Sequence, residues 1–336
     1  MMKAVVLKST GHPISGFELG TAPRPSKESL KPNQLLVKIK ATAINPVDYK
    51  MAAYNFLIRD PLPIVLGCDM AGVVEAVGTE VDPSAFKVGD LVFGCPGLGT
   101  AGFGTFAEYS VIDSGLAMKT TAKFSDEQLS GCGVGMYTAA LGLFQRLDLP
   151  IPAKDPNTLV LIWGASGSVG AFATQFASVA GYKVIGVCSK RNFDYVKSLG
   201  ATHLVDYADT DVVKKIKDIT HGELRYAFST ISTDSSNLCI QCLAQKPESI
   251  VAECAGQPSI DPGQVQVKNA LLGVVPYEPV TTKFVYSIRP QIVKWLDEGK
   301  VKPTPIKLLK GIENIIPGLQ MVSDGKVSGE KVVVSL

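Results

Sequence analysis

Along the first 120 residues, apolar and polar positions alternate in short runs. Lys3–Leu7, Gln34–Ala43, Met70–Val77, Asp90–Phe93 and Gly104–Val111 carry the Val/Ile/Phe-rich or period-two signature of strands. Pro-containing turns such as Ala22-Pro23-Arg24-Pro25 and Asp82-Pro83-Ser84 separate them, and the pattern predicts a twisted β-barrel. From about Ser125 the period changes. Asp126–Cys132 and Gly135–Leu147 space apolar residues as helices do, and Pro150-Ile151-Pro152 closes that stretch. Apolar runs at Leu159–Trp163, Lys183–Cys188, His203–Asp206, Tyr226–Ser229 and Ser249–Cys254 then alternate with helical patterns such as Val169–Ala180 and Phe193–Leu199. Alternation of this kind predicts a parallel, doubly wound α/β sheet. Gln291–Glu298 reads as a helix and 329–334 as a closing strand that returns to the barrel. The expected organisation is a substrate or catalytic domain over 1–124, a dinucleotide-binding domain over 125–305, and a return to the first domain over 306–336.

The run Leu159–Trp163 breaks into Gly164-Ala165-Ser166-Gly167-Ser168-Val169-Gly170 and then into a small-residue, helix-competent segment. Glycines let backbone N–H groups approach a pyrophosphate, and the N-terminus of the following helix favours its charge. The spacing departs from G-x-G-x-x-G because Ser166 stands where the second glycine would be. On its own it fits a dinucleotide loop and a plain strand–helix turn equally. The end of the next strand separates the two readings. There an NAD site usually carries an acid for the ribose 2′-hydroxyl, whereas this chain has Ser189-Lys190-Arg191-Asn192. A hydroxyl with two cations suits a 2′-phosphate, so NADPH is favoured over NADH; the alternative is an exposed basic loop.

The 336 residues exceed what one hydrophobic core usually holds, in keeping with two domains. A net charge of +2 gives no electrostatic case for nucleic acid or acidic membranes, which leaves small molecules as the expected partners. Seven scattered cysteines predict reduced thiols, and no apolar stretch is long enough for a signal peptide or a bilayer span. A cytoplasmic protein is expected. Lys214, Lys215 and Lys217 read as a solvated helix face, Cys239-Ile240-Gln241-Cys242 as core in a helical stretch, and His203 and His221 as structural residues.

Several motifs occur together: Gly67-Cys68-Asp69-Met70-Ala71-Gly72-Val73-Val74-Glu75-Ala76-Val77-Gly78, Lys87-Val88-Gly89-Asp90-Leu91-Val92, Gly104-Thr105-Phe106-Ala107-Glu108-Tyr109, the glycine turn, and Lys197-Ser198-Leu199-Gly200-Ala201. In this order they resemble the medium-chain dehydrogenase/reductase superfamily over essentially the whole chain. The resemblance implies a GroES-like barrel and a Rossmann domain. Cys188–Asp194, Asp206-Tyr207 and Gly325–Lys331 are similar to the fungal trans-acting enoyl reductases that partner polyketide synthases, of the lovastatin enoyl reductase type. That likeness implies NADPH held by Gly167, Ser168, Val169 and Gly170, by Ser189, Lys190, Arg191 and Asn192, and by Tyr207, Val327 and Ser328, with Pro46 and Tyr49 also in contact.

Zinc-dependent members use a Cys and a His beside an acid, with a four-cysteine lobe for a second metal. Here Asn45-Pro46 replaces the first cysteine region, Cys68 stands in the histidine's place, and no cysteine cluster follows Gly94, so no metal is expected. Hydride addition to an enoyl thioester without zinc calls for charge or donors at the carbonyl oxygen and a proton for the α-carbon. Lys50 is the candidate for charge, Tyr49 or Tyr54 for a phenolic donor, and Thr138 for a hydroxyl near the nicotinamide. The segment around Lys50 is read as a loop, with a structural Asp48–Lys50 ion pair as the alternative. Phe103 and Phe106, flanked by glycines, form either a substrate lip or an ordinary loop. The expected function is NADPH-dependent, zinc-independent reduction of activated C=C bonds in small or carrier-bound acyl thioesters, by a monomer or homodimer. A quinone or aldehyde reductase and a low-activity nucleotide binder are the alternatives.

Overall fold

The computed structural model describes residues 1–119, 123–275 and 278–336. The chain opens with β1 (Met2–Leu7), β2 (Phe17–Ala22) and β3 (Gln34–Ala43), followed by α1 (Pro46–Tyr54). Next come β4 (Ile64–Val65), β5 (Asp69–Val77), β6 (Leu91–Gly94), β7 (Tyr109–Asp113) and β8 (Ala117–Met118). Two helices, α2 (Asp126–Ser130) and α3 (Gly133–Ala140), lead to the alternating part. That part runs β9 (Leu159–Trp163), α4 (Ser168–Ala180), β10 (Lys183–Cys188), α5 (Phe193–Ser198), β11 (His203–Asp206), α6 (Val212–Thr220), β12 (Tyr226–Ser229), α7 (Thr233–Cys242), β13 (Ile250–Glu253) and β14 (Gln266–Asn269). It ends with α8 (Pro279–Asp297), β15 (Ile306–Lys310), α9 (Ile315–Ser323) and β16 (Lys331–Ser335). Two compact units result: Met1–Val134 with Val285–Asp297 and Pro303–Leu336, and Gly135–Phe284 with Glu298–Lys302. The chain crosses between them inside α3, inside α8, at the end of α8 and between Lys302 and Pro303, whereas the sequence predicts boundaries at 124/125 and 305/306.

The first unit is organised around β3. It pairs antiparallel with β5, with register shifts between Leu36 and Val37 and between Ile39 and Ala41. Its other edge is shared, Gln34–Lys38 pairing with β7 and Ala41–Ala43 with β16. Such irregularities bend a strand and raise its twist, which lets one strand serve two partners. A second, three-stranded sheet has the order β2-β1-β4. The expected strand Gly104–Val111 is regular only from Tyr109. Before that, Thr105 and Phe106 donate their amides to Gly67 O and Leu66 O, and Phe106 O accepts from Val5 N, so the backbone leaves the β3 ladder to join the second sheet.

The second unit is a parallel sheet of order β11-β10-β9-β12-β13-β14. Val160, Leu161 and Ile162 in its centre are fully buried, as strands covered on both faces require. Cys239 and Cys242 belong to its hydrophobic core, and all seven cysteines are free. Lys214 pairs with Asp218 (2.7 Å), and Lys215 with Asp209 (2.9 Å), on the exposed face of α6. Among the described residues no helix is long and apolar enough to cross a membrane.

Candidate functional site

In the second unit, β9 feeds the glycine turn directly into α4. Gly164 sits at φ +88°, a conformation that favours glycine, and a Cβ on Gly170 would lie 2.1 Å from Gly164 O. Gly167 has a different role. The only atom within 4 Å of a Cβ placed there is Gly164 O, at 3.3 Å, so the turn is open on that side. As the N-cap of α4, Gly167 offers no side-chain acceptor to the first-turn amides. Beside them the Ser168 hydroxyl is buried and has no hydrogen-bond partner. That hydroxyl lies against Gly135 of α3, where a Cβ would meet it at 2.6 Å, and such an orphan costs about 1–3 kcal/mol.

At the end of β10, Asn192 Nδ2 donates to Ser166 Oγ at 3.1 Å and to Ser189 Oγ at 3.3 Å. The glycine turn and the end of the next strand thereby form one polar patch. Lys190 and Arg191 are exposed beside it, and Tyr207, just past β11, is 55% exposed. A patch of this kind, with an open helix N-terminus beside side-chain donors, could hold the polar part of a pyridine dinucleotide. Thr138, on α3, also belongs to this unit and is almost fully buried.

In the first unit, the segment read as a loop is the helix α1. Asn45 is its extended N-cap, Pro46 its first residue, and Asp48 reaches back to accept from Asn45 N at 2.7 Å. Asp48, Met51 and Ala52 are buried, while Tyr49 and Lys50 are half-buried and Tyr54 is 74% exposed. No ion pair joins Asp48 to Lys50 among the described residues. Asp48 Oδ1 instead accepts from Cys68 Sγ at 3.0 Å. Burial pushes the Asp48 carboxyl up to about 7, with the Asp69 charge adding to the effect, and it raises the Tyr49 phenol as well.

Sequence reasoning missed what lies beneath α1. Asp69, fully buried, accepts from Asn45 Nδ2 (2.9 Å) and Val134 N (2.6 Å), and Lys331 Nζ lies 3.4 Å from its Oδ2. Lys331 Nζ also donates to Asn45 Oδ1. Lys331 itself is 4% exposed. Gly133 makes this packing possible, because a Cβ there would meet Asp69 Oδ1 at 2.7 Å and Gly94 C at 2.5 Å. Val327 and Ser328 lie in this unit, between α9 and β16. Phe106 is fully buried against Gly67 and belongs to the core, while Phe103 is half-buried and packs on the edge of the cluster of Leu36, Ala76 and Val111.

The donors in this nest do not fit a zinc ion. Burial and the neighbouring carboxylates hold the Cys68 thiol well above its usual range, and both Asp69 oxygens are engaged, one by an ammonium. Among the described residues no group of three or more His, Cys, Asp or Glu side chains is arranged to hold a metal.

Residues 31–122 match the alcohol dehydrogenase GroES-like domain family and residues 168–271 the zinc-binding dehydrogenase family. The chain is 35% identical to trans-enoyl reductase RAP2 of Pyricularia oryzae, over 94% of this chain and 93% of the relative. It is 35% identical to trans-enoyl reductase pyiC of Pyricularia grisea, over 92% and 88%. A solved alcohol dehydrogenase superfamily protein from Novosphingobium aromaticivorans superposes over the full length of both chains, with a TM-score of 0.85 at 26% identity. The chain therefore belongs to the medium-chain dehydrogenase/reductase superfamily of oxidoreductases, alongside the fungal trans-enoyl reductases.

Proposed function

We propose that this protein is an NADPH-dependent, zinc-independent reductase of α,β-unsaturated acyl thioesters, free or carrier-bound. The observation that carries the cofactor is the patch at the end of β10, where Ser189, Asn192, Lys190 and Arg191 offer donors and positive charge with no carboxylate in the segment. The likeness to trans-enoyl reductases, at 35% identity, supports the substrate class. Bound reduced nicotinamide supplies the hydride for the β-carbon and is oxidised. The first-turn amides of α4 would hold the pyrophosphate, and Lys190 with Ser189 would receive the 2′-phosphate. On the substrate, charge builds at the thioester oxygen as the C=C bond is reduced, and the α-carbon takes up a proton. Lys50 supplies the positive charge. Tyr49, its phenol raised by burial and by the nearby Tyr54, stays neutral at pH 7 as a hydrogen-bond donor.

Loss of NADPH absorbance with crotonyl and cinnamoyl thioesters, enones and quinones tests the reading. Turnover is expected to be fastest with the thioesters, and NADH to be used at least tenfold less efficiently. Tight NADPH binding without turnover of any acceptor overturns the enzyme assignment. Lys50→Ala is expected to lower kcat 10- to 100-fold with NADPH affinity unchanged; parallel loss of both would make Lys50 a cofactor contact. Lys190→Ala is expected to raise the KM for NADPH about tenfold and to leave that for NADH within twofold.

A further inference from the structure

The nest beneath α1 gathers two carboxylates, Asp48 and Asp69, and one ammonium, Lys331, all buried. Its connections run to four separate segments of the first unit. Asp69 opens β5 and accepts from Val134 N at the start of α3. Lys331 opens β16, and Asn45 is the N-cap of α1. Asn45 is the joint, since its amide nitrogen donates to Asp69 while its amide oxygen accepts from Lys331. Both hydrogen-bonding ends of that side chain are therefore used to fix the helix on a buried ion pair. Pro46 at the first helical position sets the backbone direction, so the N-cap geometry decides where the next residues of α1 point. Those residues are Tyr49 and Lys50. In a buried site the ammonium has no water to replace a lost partner, so its hold on Asn45 is stiff.

We propose that Lys331 is a positioning residue. Its ammonium, gripping Asn45 Oδ1 against Asp69, aims Tyr49 and Lys50 by locking the start of α1, and the chain itself thus supplies the fixed cation of this nest. The inference rests on the reading of α1 as the substrate-facing helix.

The test compares Lys331→Met, Lys331→Arg, Asn45→Ala and Val333→Ala by thermal melting, amide exchange over 47–54, and kinetics with NADPH and crotonyl thioester. Asn45→Ala cuts the link to α1 while keeping the ion pair, so it decides the question even if Lys331→Met fails to fold. Val333→Ala trims a fully buried side chain of the same strand. Lys331→Met and Asn45→Ala are expected to speed exchange in α1 at least tenfold and to lower kcat 10- to 100-fold, with the NADPH KM within twofold. Lys331→Arg is expected to recover most of both. Val333→Ala is expected to lower the Tm while leaving kcat and α1 exchange within twofold. Unchanged α1 exchange in Asn45→Ala, or a kcat loss in Val333→Ala matching its Tm loss, overturns the proposal. Absence of thioester turnover by the unmodified protein would instead overturn the functional reading, and the exchange arms would still judge Lys331.

Discussion

Asp48 keeps a proton that an aspartate in water gives up. With Asp69 and one ammonium in the same dry nest, ionising both carboxyls would leave an unbalanced negative charge, and burial alone already disfavours the ionised form. Its folded-state value, about 7, lies above the ordinary 3.8, so the folded protein binds more protons than the unfolded chain between those limits. Stability from this group is complete below pH 4 and is lost as pH rises through 7, by on the order of a few kcal/mol. Thermal melts from pH 4 to 8 should show a falling Tm that Asp48→Asn flattens; an unchanged slope in that variant would place the titration elsewhere. Of this cluster the sequence displays only fragments. Cys68-Asp69 announces itself through the family-like motif, but nothing local marks Lys331 as buried, since a lysine that opens a strand is ordinarily solvated. Its partner Asn45 lies 286 residues away. Ser168 and Asn192 were legible because their spacing follows the strand–turn–helix grammar of the nucleotide fold.

At the scale of elements, α4 and α1 show why one helix is readable and another is not. The start of α4 follows a wholly apolar strand and a glycine turn, and its buried face is all small or apolar apart from Thr174 and Gln175. In α1 the inward stripe is Asp48, Met51 and Ala52, so a carboxylate occupies a core position and spoils the apolar period. The signal that would have found it is the Asn-Pro pair with Asp48 three residues past the cap. The two glycines of the phosphate turn should part company under mutation. Gly167→Ala meets only Gly164 O, at 3.3 Å, which has to give by a few tenths of an ångström, so a Tm within a few degrees of the parent and NADPH binding weakened at least tenfold, read by fluorescence titration, are expected. Gly170→Ala drives a methyl into the Gly164 carbonyl and is expected to lower the Tm strongly as well as to abolish binding.

Taken as a whole, the molecule carries one unit that is nearly continuous in sequence and one assembled from three stretches of chain. Alternating strands and helices made the first of these legible, because every neighbouring pair in its sheet except β9 and β12 consists of strands consecutive in sequence. The other depends on β16, which sits between β15 and β3, and nothing in the local pattern of residues 331–335 says which strands will flank it. Val332, Val333 and Val334 are at most 1% exposed, and their burial is worth roughly 4.5–9 kcal/mol, comparable to the net stability of a whole domain. Deleting Lys331–Leu336 is therefore expected to unfold the first unit while circular dichroism retains the signal of the second; a truncated chain with a single native-like melt would refute this. The same arrangement gives the protein a clock. Asn45 leaves the ribosome long before Lys331, and at about 5–20 residues per second the 286 intervening residues take on the order of tens of seconds. Through that interval the nucleotide-binding sheet can form, while Asp48 and Asp69 wait in water without their counter-ion. The parallel sheet of the second unit can thus be complete on a nascent chain whose first unit still lacks the strand between β15 and β3.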